Sequence, residues 1–299
     1  MGAKFRSSGF RPDMREEKAS QTALGAAIHR ANHQRIECGL IFSDPLAVRI
    51  VEGAGEYGAL LEEDGAENRG LRLFIAARSR FAEDKYATAM RDRGVRQLVV
   101  LGAGLDTFAY RQSPDSALRL FEVDHPATQA WKLARLGAAG IAIPSNLTFV
   151  SVDFETQCLR HRLEASGFNP GRPSFFMILG VIAYLSQGAI DELLATLGGY
   201  AACEFAWDYS IPPEMLDAEQ RKFHDALIER TTAAGELYQS LFTPDRMAGM
   251  LYQTGFAPTE DLDVYDLLAR YLGEEVIAAS RAAGRGSAHM IHAMRVSQR

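Results

Sequence analysis

Short apolar segments begin to alternate with helical segments near residue 95, and this alternation restricts the fold more than any other feature of the chain. The first such segment, Arg96 to Leu101, is rich in valine and leucine and is followed by a glycine, as buried parallel strands often are. Strands that alternate with helices form βαβ units, so the pattern predicts an α/β fold with a doubly wound, mostly parallel sheet. The other predicted strands are Leu118 to Asp124, Leu147 to Val152, Phe175 to Leu179, Ala201 to Tyr209, Phe256 to Val264 and Ser287 to Val296.

The last two of these strands follow each other closely, and we expect them to form an antiparallel hairpin at the edge of the sheet. Helices are predicted between the strands from their apolar spacing and their proline or glycine boundaries. The predicted helices are Pro126 to Leu136, Glu155 to Ser166, Gly188 to Leu197, Pro213 to Ala233 and Pro244 to Thr254.

The first third of the chain has helical patterns and no predicted strand. Apolar residues recur at three- and four-residue spacings over Arg15 to Glu37, Asp44-Pro45 begins a short helix, and a longer helix runs from Leu71 to Asp92. The glycine-rich run from Val51 to Gly70 is predicted to be a connecting loop. We therefore divide the chain into a helical N-terminal extension, residues 1–94, and an α/β domain, residues 95–299.

Charge and cysteine content exclude several classes of function. A net charge of −6, from 32 basic and 38 acidic residues, disfavours binding to nucleic acid or an anionic membrane. The three cysteines form no CxxC pair, so neither a disulfide framework nor a structural zinc site is expected. The apolar run Phe175 to Leu185 is too short to span a bilayer, and the N-terminus lacks the pattern of a signal peptide. We expect a cytoplasmic protein; its oligomeric state is open.

A glycine turn with an acidic partner is the strongest local motif. Gly102 and Gly104 follow the first strand, where glycine lets the backbone turn tightly and approach a ligand. Asp124 ends the next strand, 20 residues after Gly104, where a carboxylate can bind both hydroxyls of a ribose. The motif predicts a cofactor that contains a nucleoside.

The surroundings of this turn favour S-adenosylmethionine over a nicotinamide dinucleotide. Thr107 stands near the place of the third glycine of the dinucleotide motif, and the chain has no GxxxxGK[ST] loop for phosphates. After the third strand, Asp153 is placed to accept from the exocyclic amine of adenine, and Phe154 to pack on the ring. The sequence thus offers one carboxylate for the ribose and one for the adenine, but no phosphate-binding loop. This combination indicates S-adenosylmethionine.

Several short segments resemble the leucine carboxyl methyltransferase-like family of S-adenosylmethionine-dependent enzymes, and the likeness covers nearly the whole chain. The resemblance implies a seven-stranded, Rossmann-like methyltransferase sheet with the N-terminal helices as a lid. The segments are Gln21-Thr22-Ala23, His29-Arg30-Ala31, Asp44-Pro45-Leu46, Ala77 to Phe81, Leu101 to Thr107 with Arg111, and Phe121 to Pro126, with further likeness at Gly235-Glu236 and Gly255-Phe256.

The resemblance also implies roles for single residues. Arg78 would bind the methionine carboxylate, since a guanidinium offers a planar fork of donors to a carboxylate; a solvated helix charge is the alternative. Gly102 would contact the methionine and ribose region, Asp124 the ribose, and Asp153 with Phe154 the adenine.

The chain departs from the family after the fourth strand. Many relatives have a glutamate in a pattern like E-G-L-L-x-Y-L, whereas this chain has Leu179 at that position. Loss of an anion near the cofactor's ammonium favours the neutral, nucleophilic amine. This suggests a cyclase that would make azetidine-2-carboxylate and methylthioadenosine, an activity that the resemblance permits. Neutral drift in a tolerant pocket is the alternative.

Methyl transfer to a carboxylate or hydroxyl of a small molecule, in secondary metabolism, is the leading hypothesis. Tyr184 follows a strand end and is the candidate to contact the reacting centre, with a core aromatic as the alternative. Arg30 is a candidate to hold an acidic acceptor, or else forms a surface ion pair. No catalytic base is assigned. A protein of this fold that binds a partner without catalysis is a further hypothesis.

No metal is expected. His29 and His33 lie one helical turn apart, but no third ligand accompanies them.

Overall fold

The computed structural model describes residues 20–52, 65, 68–113, 117–233, 235–282 and 287–296. The beginning of the first predicted helix, residues 15–19, and most of the predicted loop over residues 51–70 lie outside these ranges. No described helix is long and apolar enough to cross a membrane.

Seven strands form one sheet in the order β3-β2-β1-β4-β5-β7-β6. Strands β1 to β5 are parallel, and β1 pairs with β2 on one side and with β4 on the other. The direction of winding therefore reverses between β1 and β4, which is where open α/β sheets bind ligands. The strands are β1 (Gln97–Leu101), β2 (Arg119–Asp124), β3 (Leu147–Ser151), β4 (Ser174–Ile178), β5 (Cys203–Ser210), β6 (Phe256–Asp263) and β7 (Ala288–Arg295).

The described helices lie on the two faces of this sheet and near the ends of its strands. They are α1 (Gln21–Ile36), α2 (Pro45–Glu52), α3 (Arg69–Arg93), α4 (Phe108–Arg111), α5 (Pro126–Ala138), α6 (Leu159–Ala165), α7 (Gln187–Gly198), α8 (Ala218–Ala233), α9 (Pro244–Gln253), α10 (Val264–Leu272) and α11 (Glu274–Ala282). Short 3₁₀ turns occupy Ile182–Tyr184 and Pro213–Met215.

Alternate residues of the central strands point to opposite faces of the sheet and pack in different hydrophobic cores. In β1, Val99 and Leu101 pack with α6, α7 and α9, whereas Leu98 and Val100 pack with α3, α10 and α11. This is the two-residue period of a strand that is covered on both faces. Helix α3, from the N-terminal third, thus contributes to a main core of the sheet. The division at residues 94 and 95 stays a prediction.

The predicted hairpin of the last two strands is wrong in its connection, although the two strands do pair antiparallel. Helices α10 and α11 lie between β6 and β7, and β7 inserts between β5 and β6 and pairs with both. In α10 the buried Leu267 and Leu268 belong to the core, and the sequence analysis assigned no helix to this segment.

Two helices begin later than predicted, because side chains hold the preceding residues in turns. The carboxylate of Asp153 holds a turn that delays α6 until Leu159. Asp217 accepts from the amide of Gln220, so α8 begins at Ala218, after the separate 3₁₀ turn.

Candidate active site

A cavity of about 860 Å³ opens at the carboxyl ends of the parallel strands. This volume lies in the range of pockets that enclose a small molecule. The walls come from the ends of β1, β2, β4 and β5, and from helices α1, α3 and α8. Of the predicted site residues, the cavity is lined by Arg30, Arg78, Gly102, Gly104, Asp124, Phe154, Leu179 and Tyr184.

The turn after β1 requires glycine at two positions. Gly102 has φ +62° and Gly104 has φ +40°, both in the left-handed region that favours glycine. A Cβ atom at Gly102 would overlap the side chain of Val181, and one at Gly104 would lie 2.9 Å from the Cβ of Ala23. The backbone of the turn therefore approaches its neighbours as closely as a cofactor cradle requires.

Asp124 faces this turn from the end of β2. Its Oδ2 accepts from the Gly104 amide at 2.5 Å, and its Oδ1 accepts from the His125 amide at 2.7 Å. Burial raises the pKa of Asp124, although the two amides favour the charged carboxylate. The glycine turn and the acid that were linked by sequence spacing are thus in direct contact.

A buried polar cluster supports the turn from below. Glu122 is fully enclosed, lies 2.7 Å from the Lys132 Nζ, and accepts a hydrogen bond from the Tyr110 hydroxyl at 3.0 Å. Burial raises the pKa of Glu122 to about 6 against the opposing effect of Lys132. Lys132 also donates to the carbonyl of Ala103, so it links this cluster to the turn.

Arg78 forms an ion pair at the opposite wall of the cavity. Its Nη1 donates to the Oδ2 of Asp208 at 2.8 Å, and both side chains are 11% exposed. The Oδ1 of Asp208 accepts from the amide of Gly180 at 2.6 Å, directly after Leu179. Asp208 therefore brings a carboxylate to the loop where Leu179 has none. Sequence reasoning missed this residue, because Asp208 lies 130 positions from Arg78 on a strand that reads as apolar.

Tyr184 lies on the 3₁₀ turn after β4, and its ring meets that of Tyr238 edge to face, with centroids 5.2 Å apart. Burial raises the pKa of Tyr184 well above its usual range, so the phenol stays protonated and is no general base near neutral pH. Tyr238 also contacts the hydroxyl of Ser210 at 3.2 Å.

Arg30 is buried and has partners within the protein. It donates to the carbonyl of Leu105 at 2.7 Å and to the carboxylate of Asp44 at 3.4 Å. Asp44 also accepts from the hydroxyl of Thr107 and from the amide of Ala47, and the second of these hydrogen bonds caps the start of α2. Through these contacts Arg30 and Asp44 support the glycine turn.

Asp153 and Phe154 differ in their placement. Phe154 lines the cavity, whereas Asp153 is not among its lining residues. Both carboxylate oxygens of Asp153 accept from its own turn, from the Glu155 amide at 3.0 Å and the Thr156 hydroxyl at 2.7 Å. The structure thus brings Phe154 alone of this pair to the cavity wall.

The sequence analysis did not assign a role to two further residues of the cavity wall, Glu236 and His224. Glu236 lies in one of the segments that resemble the family. Glu236 accepts from the Thr22 amide at 3.1 Å and the Ser20 hydroxyl at 3.1 Å, and so connects the start of α1 with the end of α8. His224, on α8, is 3% exposed and has no neighbour in sequence that suggests a role. A single histidine in a helix has no characteristic spacing to other residues, so its position at the cavity could not be predicted from the sequence.

Among the described residues, no group of three or more histidine, cysteine, aspartate or glutamate side chains could hold a metal ion. Of the two histidines considered for zinc, His33 has its Nε2 facing the amides of Ile41 and Phe42, at 3.2 and 3.4 Å.

Comparison with known proteins identifies relatives for most of the chain. The family model described as leucine carboxyl methyltransferase matches residues 23–198. A Mycobacterium marinum protein named "Putative S-adenosyl-L-methionine-dependent methyltransferase" is 31% identical over 239 residues, covering 73% of this chain and 74% of that protein. A Bacillus subtilis protein of the same description is 29% identical over 280 residues, covering 85% and 91%.

Two solved structures share the fold. The crystal structure of a Thermobifida fusca protein, described as "a putative methyltransferase", superposes with a TM-score of 0.57 and 17% identity. The superposition covers 98% of this chain and all of that chain. A DUF574 family protein from Streptomyces avermitilis superposes with a TM-score of 0.56 and 13% identity, over 93% and 98%.

Proposed function

The chain belongs to the leucine carboxyl methyltransferase family, and from this premise we propose that it transfers the methyl group of S-adenosylmethionine to an oxygen of a small molecule. The contact between Asp124 and the glycine turn carries the proposal, because it forms a ribose cradle at the point where the sheet reverses its winding. The prediction of a doubly wound methyltransferase fold is confirmed.

The residues present fit this cofactor. Gly102 and Gly104 line the cavity, and Asp124 would accept from the ribose hydroxyls. Phe154 would pack on the adenine ring. The adenine role predicted for Asp153 has less support, because Asp153 is not among the residues that line the cavity.

The ion pair of Arg78 and Asp208 suits the methionine end of the cofactor. That end is a zwitterion, with a carboxylate and an ammonium on one carbon, and a guanidinium beside a carboxylate offers each charge its opposite. We assign Arg78 to the carboxylate and Asp208 to the ammonium. The pair is already formed, so little ordering is needed on binding.

The bound cofactor supplies a methyl group on a positively charged sulfur, which needs an acceptor held in line with the carbon–sulfur bond. The chain's own residues orient and enclose it: Arg78 and Asp124 fix the two ends, and Tyr184 remains a neutral phenol at the end of β4.

Asp208 also bears on the cyclase hypothesis. A carboxylate beside the ammonium stabilises its protonated, non-nucleophilic form, so Asp208 supplies the charge that Leu179 lacks. This supports methyl transfer over ring closure. Incubation of the protein with S-adenosylmethionine alone tests the point: methylthioadenosine released without an acceptor would support cyclisation, and azetidine-2-carboxylate formed with it would establish it.

Calorimetry with S-adenosylhomocysteine tests the proposed function itself. We expect saturable binding to the native chain and loss of binding in Asp124→Ala. Absence of binding to the native chain, or equal binding to the variant, would contradict the cofactor site. Cofactor binding without methyl transfer to any oxygen acceptor would favour the non-catalytic hypothesis. The cytoplasmic location and the lid role of residues 1–94 stay predictions.

A further inference from the structure

A buried histidine lines the cavity and has no part in the proposed cofactor contacts. His224 lies on the face of α8 that covers the cavity, and its side chain is 3% exposed. Its Nε2 is buried and makes no hydrogen bond within the protein. A buried ring nitrogen without a partner costs free energy unless a ligand satisfies it, so this atom points to a ligand contact.

The other ring nitrogen of His224 faces the exterior. Nδ1 lies 3.4 Å from the Oδ1 of Asp225, whose side chain is 66% exposed. A carboxylate there favours the tautomer with hydrogen on Nδ1, and this tautomer leaves the Nε2 lone pair free to accept. The imidazole thus joins a buried acceptor on one side to a carboxylate in contact with solvent on the other.

The aromatic residues place His224 next to the predicted reacting centre. Its ring lies edge to face with Tyr238, at 6.4 Å between centroids, and Tyr238 in turn contacts Tyr184. Tyr238 also contacts the hydroxyl of Ser210, which lies two residues after Asp208 on β5, so it lies near the ion pair assigned to the methionine end. His224 therefore lies one aromatic ring away from that end of the cavity.

We propose that His224 Nε2 accepts the proton of the methyl acceptor and that the acceptor is a hydroxyl compound, a phenol or an alcohol. This rests on the proposed function and narrows its substrate class. A carboxylate acceptor is already ionised and has no proton to give, so it would leave the Nε2 lone pair facing another lone pair. A hydroxyl donates its hydrogen to Nε2 and becomes the better nucleophile.

The transfer balances in atoms and charge. The hydroxyl oxygen forms a bond to the methyl carbon as the carbon–sulfur bond breaks, and that electron pair stays on sulfur, which becomes a neutral thioether. The hydroxyl proton passes to Nε2 and gives an imidazolium. The Nε2 proton then passes to water as the methylated product leaves, which restores the neutral ring with its hydrogen on Nδ1 beside Asp225.

The test uses 4-nitrophenol as an acid–base probe with the full chain saturated by S-adenosylhomocysteine. At a pH where the free probe is protonated, proton transfer to His224 appears as the visible absorbance of the phenolate. We expect this absorbance with the native chain. In His224→Gln it falls at least tenfold, to the level of the free probe, whereas in His161→Gln, a change of an exposed histidine on α6, it is unchanged.

Chemical rescue with imidazole separates a structural role of His224 from a role as a base. Added imidazole restores the phenolate absorbance in His224→Ala only if the ring acts as a base, and thermal unfolding shows whether each variant is folded. Binding of S-adenosylhomocysteine without phenolate absorbance in the native chain overturns this inference alone. Absence of S-adenosylhomocysteine binding in the same samples overturns the proposed function.

Discussion

At the scale of single residues, two acids predicted from strand ends have different surroundings. Asp124 lies at the cavity wall against the glycine turn, whereas Asp153 lies outside the lining and holds its own turn. Sequence position indicated that both follow strands of a parallel sheet. It does not show which way a side chain after the strand end points, because loop geometry decides that.

These surroundings predict unequal effects on cofactor affinity. Asp124→Asn should weaken binding of S-adenosylhomocysteine roughly tenfold to a hundredfold, since it removes a charged hydrogen-bond acceptor for the ribose. Asp153→Asn is the matched variant, and we expect its affinity to stay within about threefold of the native value, because Asp153 does not line the cavity. Calorimetry measures both; a larger loss in Asp153→Asn would restore its predicted adenine role.

The left-handed backbone at Gly102 predicts a loss of stability on substitution. Gly102→Ala should lower the free energy of unfolding by about 1–3 kcal/mol, because alanine is strained at φ +62° and its Cβ meets Val181. Gly137→Ala is the control: this glycine lies in α5 with open space around its Cβ position, and we expect a gain of about 0.4–1 kcal/mol. Urea unfolding measures both changes, and an unaffected Gly102→Ala would contradict the strained turn.

At the scale of elements, most strands and helices were predictable because their periodicity reflects burial. β1 to β5 lie within two residues of their predicted bounds, since β1, β2, β4 and β5 are mostly buried on both faces and β3, at the edge of the sheet, is a partly buried run. Helices α10 and α11 were missed. The segment Val264–Leu272 follows β6 without a glycine or proline to mark the change, although Asp263 caps the helix and its apolar residues recur at helical spacing.

The contact between α1 and the end of α8 is an element-scale feature with a measurable consequence. Glu236 accepts from the first turn of α1, where unpaired amides also favour a negative charge. Glu236→Gln should speed hydrogen exchange of the amides at the start of α1 about tenfold, because a charge-assisted hydrogen bond is replaced by a neutral one. Glu192→Gln, an exposed change on α7, should leave exchange in α1 unchanged. Equal exchange in both variants would show that Glu236 does not hold α1.

At the scale of the whole molecule, buried charge under the cofactor turn makes stability depend on pH. Burial raises the pKa of Glu122 from 4.5 to about 6 in the folded chain, so the folded state binds the proton more tightly than the unfolded state. The contribution of this group to stability is therefore complete below pH 4.5 and is lost as pH rises to about 6. A pKa change of this size corresponds to about 2 kcal/mol.

Comparison with Glu122→Gln isolates this effect. The difference in unfolding free energy between the native chain and the variant should become less favourable to the native chain by about 2 kcal/mol in total as pH rises from about 3 to about 7. Most of this change falls between pH 4.5 and pH 6, after which the difference levels off. Urea unfolding at several pH values measures it. A difference that stays constant with pH, or that moves in the opposite direction, would contradict the raised pKa.

The amino-acid sequence by itself determined the fold class, the glycine turn with its acid 20 residues later, and the family. These features are readable because short-range chain geometry sets them: a strand, a tight turn and the next strand end at fixed spacing. Only the tertiary structure decided that Asp208 supplies the carboxylate absent at Leu179, that Arg30 supports the turn, and that His224 faces the cavity. Those contacts join elements far apart in sequence, and the direction of a side chain across a cavity depends on how the elements pack, which leaves no local pattern in the chain.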